Sequence, residues 1–121
     1  MCSSDLLRQS VIDGNQIDDE VYQAERRQID AMRVAMLDAL RPADLVLWPA
    51  APATAPAGLE WTGDRRYIAP WTAIGGPVVS LPSGLGAGDM PIGMLLAGVP
   101  GYDRFVSRVA PRLAEAVPQA E

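Results

Sequence analysis

Ser80 and Ser83 are the serines beside apolar runs of strand character, where a hydroxyl could attack a carbonyl carbon. Such a hydroxyl needs a neighbouring base to take its proton near neutral pH. The 121-residue chain has no histidine and no lysine; all ten basic residues are arginines, which stay protonated. No Gly-x-Ser-x-Gly elbow surrounds either serine. No catalytic residue is therefore predicted within the chain. Gly84-Leu85-Gly86-Ala87-Gly88 resembles a phosphate loop only in composition, because it leads to Asp89, Pro91 and a second strand instead of a helix N-terminus. It reads as a strand connector. Asp18-Asp19-Glu20 reads as a helix cap and first turn, since adjacent helical carboxylates point apart. The remaining acids are scattered, so no metal and no cofactor is predicted. Trp48, Trp61 and Trp71 could line an apolar pocket; Trp48 reads as core, and Trp61 and Trp71, near loops, as the better pocket candidates.

Charge and composition narrow the partners. The net charge of −5 repels phosphate backbones, which excludes nucleic acid as a direct partner. A hydrophobic content of 49% is too high for a disordered tail. No apolar run approaches the ~20 residues that span a bilayer, so no membrane partner is predicted. Cys2 is the only cysteine, which forbids an internal disulfide and implies a reducing, cytoplasmic setting. The opening Met1-Cys2-Ser3-Ser4-Asp5-Leu6 has neither the basic region nor the apolar core of a signal peptide. It resembles the translation of a common sequencing adapter opened at a GTG start. Residues 1–13 are accordingly expected to be a non-native or disordered leader, residues 14–117 the folded part, and residues 118–121 a frayed tail.

Two short apolar runs must position any site. Val78-Val79-Ser80-Leu81 and Ile92-Gly93-Met94-Leu95-Leu96-Ala97 do not alternate, so both are expected to be strands needing cover on two faces. Residues 83–90 connect them. Upstream, Asp18 caps a helix running to about Leu40, with Tyr22, Ile29, Met32, Met36 and Leu40 as a core-facing stripe and Ile17 stapled to Tyr22. Pro42 ends it. Leu45-Val46-Leu47-Trp48 reads as a buried strand. Pro49, Pro52 and Pro56 make residues 50–59 an extended loop, either a stiff connector or a rigid pocket wall. A turn around Thr62-Gly63-Asp64 leads to a short helix at residues 70–74. Asp103 or its neighbour caps a last helix whose apolar face is Val106, Val109, Ala110, Leu113 and Val117. Pro111 interrupts it at a cost of ~3 kcal/mol.

In this order the motifs resemble the C-terminal segment of the amidase signature family. They are Trp48-Pro49-x-x-Pro52-x-x-Ala55-Pro56, then Trp71-x-x-x-Gly75-x-Pro77-x-x-Ser80-Leu81-Pro82-x-Gly84, then Pro91-Ile92-Gly93-Met94-x-Leu96-x-Gly98. The resemblance spans about residues 14–117, which corresponds to roughly the last quarter of a complete family member. It implies hydrolysis of a carboxylic amide by a Ser-Ser-Lys triad lying upstream of this segment, so no catalytic residue carries over. It implies a small amide substrate in the complete enzyme and the missing N-terminal portion of the same domain as partner. By that analogy Trp61, Trp71 and Thr72 are substrate-pocket residues or, on the plainer reading, scaffold. Glutamine-using aminoacyl-tRNA amidotransferase subunits of the family usually read Asn-Leu-Ala-Gly-x-Pro where this chain has Thr72-Ala73-Ile74-Gly75-Gly76-Pro77. They also tend to carry an acid shortly before it, where this chain has Arg65-Arg66-Tyr67-Ile68. Both departures favour a stand-alone amidase.

The expected architecture is α/β: the C-terminal portion of a mixed β-sheet covered by helices, in the order helix, strand, short helix, strand, strand, helix. Part of its apolar surface is expected to stay open, leaving the chain marginal or adhesive by itself. A non-catalytic binding or interaction protein that keeps an apolar pocket is the alternative, as is a fragment of an amidotransferase subunit.

Overall fold

A computed structural model describes residues 3–58, 61 and 63–117. The elements are α1 (Ser3–Gly14), α2 (Asp19–Leu40), β1 (Val46–Pro49), α3 (Ala69–Ile74), β2 (Val78–Leu85), a 3-10 turn (Ala87–Asp89), β3 (Pro91–Ala97) and α4 (Asp103–Ala116). The chain is thus α/β, with one more helix than the sequence reading, which places residues 1–13 outside the fold. Thr62 and the tail at residues 118–121 lie outside the described residues. The chain divides into two compact units, Met1–Val34 and Ala35–Glu121.

The first unit holds α1 and residues 19–34 of α2. Asp18 caps α2 as expected: its Oδ1 accepts the Glu20 N–H at 2.8 Å, satisfying one of the free donors of a helix start. The core-facing stripe needs correction here. Tyr22, Ile29 and Met32 are exposed, and so are Leu7, Val11, Ile12, Val21 and Val34. Among the described residues this unit buries no side chain. Arg26 Nη1 instead donates to Tyr22 Oη at 3.2 Å, with the guanidinium carbon 5.9 Å from the ring centroid. That hydrogen bond and the field of Tyr22, with Asp30 adding to it, hold the arginine's pKa above its ordinary value.

The second unit is built around β3. The strand order is β1-β3-β2, and both pairings are antiparallel. A mixed sheet is therefore not what the described residues form. Leu95 and Ala97 join Trp71 and Ile74 in one buried cluster, against which Met36, Leu37, Leu40, Val46 and Val78 pack. Leu96, on the opposite face, joins Leu81, Val106 and Ala110, with Leu45, Val79, Val109 and Leu113 around them. Successive side chains of a strand point to opposite faces, so the unbroken apolar run Leu95-Leu96-Ala97 feeds both clusters. At that point the two-sided cover is supplied by this chain's own helices.

The cover is local. Leu47 and Trp48 on β1, Leu85 at the end of β2 and Ile92 at the start of β3 are all exposed. The expected burial of the Trp48 strand is thereby corrected: β1 is an edge strand, with one long side open.

The helix signals act as read. Pro70 occupies the first turn of α3, and the Gly75 N–H closes it on the Trp71 carbonyl at 3.2 Å. Tyr102, the neighbour of Asp103, takes the N-cap position of α4 without a side-chain cap bond, and Asp103 lies in the first turn. Val106 and Ala110 face the core one turn apart, while Pro111 sits in the helix interior on its exposed side. The strand connector is shorter than expected, because β2 runs on to Leu85.

Leu96 is 1% exposed whereas Leu47 is 49% exposed. Leu96→Ala should lower stability by about 3 kcal/mol, and Leu47→Ala by less than about 1 kcal/mol. Urea denaturation of the two variants beside the parent chain checks this difference.

Candidate functional site

A cleft of about 960 Å3 lies in the second unit at the end of the sheet beyond the two clusters. Its walls are residues 49–56, Trp61, Gly63, Asp64, Ser80, Ser83 and residues 91–94. Each wall has a local cause. The loop after β1 remains tied to the sheet for one more bond, because the Ala50 N–H donates to the Gly93 carbonyl at 3.0 Å. From Ala51 onward the chain does not run extended as expected: it bends at residues 52–54 and again at 57–58, and residues 49–56 form the wall in that bent course.

The opposite wall comes from the hairpin of β2 and β3. Their register shifts between Pro82 and Gly84: Pro82 pairs with Gly93 and Gly84 with Ile92, leaving Ser83 as the extra residue. Such a bulge bends the strand and redirects its side chains. It falls where Ser80 and Ser83 line the cleft. Beyond it, the Gly86 N–H donates to the Met90 carbonyl at 2.8 Å, and the turn passes through Asp89 at φ 55°. Asp tolerates this left-handed conformation better than most residues.

Two glycines let the walls approach. A Cβ at Gly93 would lie 3.2 Å from both Ser80 Oγ and the Leu81 carbonyl oxygen. A side chain there would fill the floor beside the serine hydroxyl. A Cβ at Gly86 would come within 2.6 Å of Thr54 Cγ2 and 3.0 Å of Ile92 Cγ2. The proline loop therefore rests on the hairpin at Thr54.

Among the described residues Asp64 supplies the cleft's only charged side chain, and its side chain is 25% exposed. Its Oδ1 accepts the Arg66 N–H at 2.8 Å and its Oδ2 lies 2.6 Å from Arg66 Nε. These contacts fix the turn that leads into α3. Arg66 itself extends away, 70% exposed at its side chain, and does not line the cleft.

The tryptophans are distributed differently from the sequence reading. Trp61 is 61% exposed and lines the cleft. Trp71 is 2% exposed and belongs to the core on α3. It meets the half-open Trp48 edge-on at 6.4 Å, and Trp48 meets Tyr67 at 5.8 Å. Thr72 is exposed beside Trp71, with its Oγ1 3.4 Å from the Ile68 carbonyl. Neither Trp71 nor Thr72 lines the cleft. The structure thus brings Trp61 together with the proline loop, and leaves Trp71 and Thr72 elsewhere.

Asp64, Ser80, Ser83 and residues 91–94 carry no lining role in the sequence reading. The proline spacing marks the wall, but nothing in the sequence marks the bulge at Ser83, three residues after Ser80, where both serines line the cleft. Chemically the site can bind; among the described residues it holds hydroxyls and one acid, and the chain has no histidine or lysine. Among the described residues no group of three or more acids, cysteines or histidines could hold a metal ion. No helix of the described residues is long and apolar enough to cross a membrane. No protein-family model and no curated protein sequence matches the chain.

Gly86→Ala should press the new methyl onto Thr54 and cost about 1–3 kcal/mol. Thr54→Ser removes the opposing methyl, so the double variant should recover part of that loss. Thermal unfolding of the two single variants and the pair measures the coupling; strictly additive losses would show that the loop does not rest there.

Proposed function

We propose that this chain is the C-terminal portion of an amidase of the amidase signature type, and that it is inert without polypeptide lying outside it. The observation that carries the reading is convergence. Pro49, Pro52, Ala55, Pro56, Ser80, Pro91, Ile92, Gly93 and Met94 belong to separate motifs of the resemblance, yet all line one cleft. The pairing of β1 and β2 with β3 brings the three motifs side by side, and the first and third contribute most of the lining, the second Ser80.

The chemistry then divides between two parts of one domain. A lysine in the absent part draws a proton through one serine from a second serine. That second serine attacks the amide carbon, expels ammonia or an amine as the C–N bond breaks, and leaves an acyl-enzyme for water to cleave. Backbone N–H groups stabilise the oxyanion. This chain contributes none of those groups; it contributes the apolar wall that holds the acyl side of a small amide. The reading carries a cytoplasmic setting with it.

One observation favours a second reading, a non-catalytic binding protein: the cleft is formed within this chain alone. Sequencing the DNA before the Met1 codon separates the two. In-frame coding sequence with a Gly/Ser-rich stretch and a lysine is expected. A stop codon and a ribosome-binding site at that place would favour the binding protein. On the amidase reading, the chain alone releases ammonia from small amides no faster than buffer. The polypeptide extended by its in-frame upstream sequence releases it catalytically, and loses that activity when the upstream lysine is changed to alanine. Ammonia release by the 121-residue chain alone would overturn both readings.

A further inference from the structure

We propose that the outward side of α4, with the hollow at its N-terminal end, is a docking surface for an acidic peptide segment led by an apolar side chain. This surface shares no lining residue with the cleft and rests on no part of the amidase reading.

Arg104, Arg108 and Arg112 stand four residues apart on α4 and are all exposed, whereas Val106 and Ala110 are buried. Residues four apart share one side of a helix, so the three guanidiniums form a row with a step of about 6 Å. The row does nothing for the helix itself. Like charges four residues apart repel. Arg104 lies in the first turn, where the helix dipole disfavours a cation. On α2, by contrast, Arg33 and Arg41 each have an acid three residues earlier, Asp30 and Asp38. Among the described residues none of the three α4 arginines makes an ion pair, not even with that helix's own acids, Asp103 and Glu115. Guanidinium groups recognise carboxylates through paired N–H donors, so the row is complementary to a run of acids.

The hollow supplies an anchor point. It measures about 360 Å3, and Leu37, Leu40, Val99 and Tyr102 line it. Asp38 and Arg41, which also line it, are already paired with each other at 2.8 Å, so it suits an apolar side chain. Phe105 meets Tyr102 edge-on at 5.9 Å, and both rings are exposed. They carry apolar surface from the hollow to the arginines. The complementary ligand therefore runs from an apolar side chain to carboxylates one helical turn apart. Other occupants fit less well. Helices that lie on a bilayer bury their apolar side in lipid, and α4 packs that side on the sheet. Nucleic acid meets a net charge of −5.

The test titrates an unlabelled peptide into the isotope-labelled full chain. The peptide is one leucine followed by glutamate at every fourth residue in an alanine background. The arginine Nε–H resonances and the Val99 and Tyr102 amides are followed. At about 20 mM salt they should shift saturably with a Kd of roughly 1 mM or below. At about 200 mM salt the affinity should fall at least about threefold. Replacing the leucine by alanine should weaken binding about threefold, and replacing the glutamates by lysine should abolish it. The triple variant Arg104→Gln, Arg108→Gln, Arg112→Gln should bind the original peptide at least about tenfold more weakly. No saturable shift up to about 10 mM peptide would overturn the proposal, as would equal binding of the lysine peptide. The same shifts on concentrating the chain alone would make a second copy the occupant. The same shifts from phosphatidylglycerol vesicles or a DNA duplex, at concentrations below those the peptide needs, would make it lipid or nucleic acid. Any of these would overturn the assignment to an acidic segment. The peptide comparisons use the parent chain, so they decide the matter even if the triple variant unfolds.

Discussion

The structure depends on one strand being apolar on consecutive residues. Leu95, Leu96 and Ala97 send side chains to both faces of the sheet; α3 and the last turns of α2 close one face and α4 the other. At ~25 cal/mol per Å2, burying Leu95 and Leu96 contributes about 2 kcal/mol each, a large share of what a small unit can muster. Leu96 brings in α4 through Val106 and Ala110; Leu95 and Ala97 bring in α3 through Trp71 and Ile74. The last turns of α2 are held by the same face, through Met36, Leu37 and Leu40. Without β3 these helices would have nothing common to pack on.

The same strand explains the cleft. Its C-terminal half is covered and its N-terminal half is not, because Pro91, Ile92 and Gly93 run past both clusters. The cleft begins where the cover stops. The proline loop stands on one side and the bulge at Ser83 on the other. Binding surface and fold are therefore consecutive parts of one hairpin. The exposed apolar side chains follow a similar division: Leu47, Leu85 and Ile92 lie on the open parts of the sheet, and among the described residues the helices of the first unit bury no side chain.

Much of this was legible in the residues. Non-alternating apolar runs mark β2 and β3; Asp18 and Pro42 bracket α2; Pro70 and Gly75 bracket α3; Val106 and Ala110 mark the inner side of α4. What was not legible required tertiary information. Trp48 and Trp71 sit at similar distances from loops in sequence, but only the packing of α3 on β3 shows that Trp71 is enclosed and Trp48 lies on an edge. The apolar stripe of α2 has the same spacing throughout, yet Met36, Leu37 and Leu40 pack on a buried cluster while Tyr22, Ile29 and Met32 are exposed. That Ser83 joins Ser80 at the cleft depends on a bulge of one residue between them, and no residue type announces that register shift. Trp61 was recognisable as a pocket candidate, since a tryptophan among turn residues has no core nearby in sequence.

The most direct measurement is native-state hydrogen exchange of the full chain, read amide by amide. On this account the slowest-exchanging amides are those of residues 94–97 and their partners in β2, opening only with global unfolding. Amides of residues 7–34 should exchange orders of magnitude faster, since none of those side chains is buried. Protection in residues 7–34 equal to that of Leu95 and Leu96 would contradict the claim that the doubly covered strand is what the fold rests on.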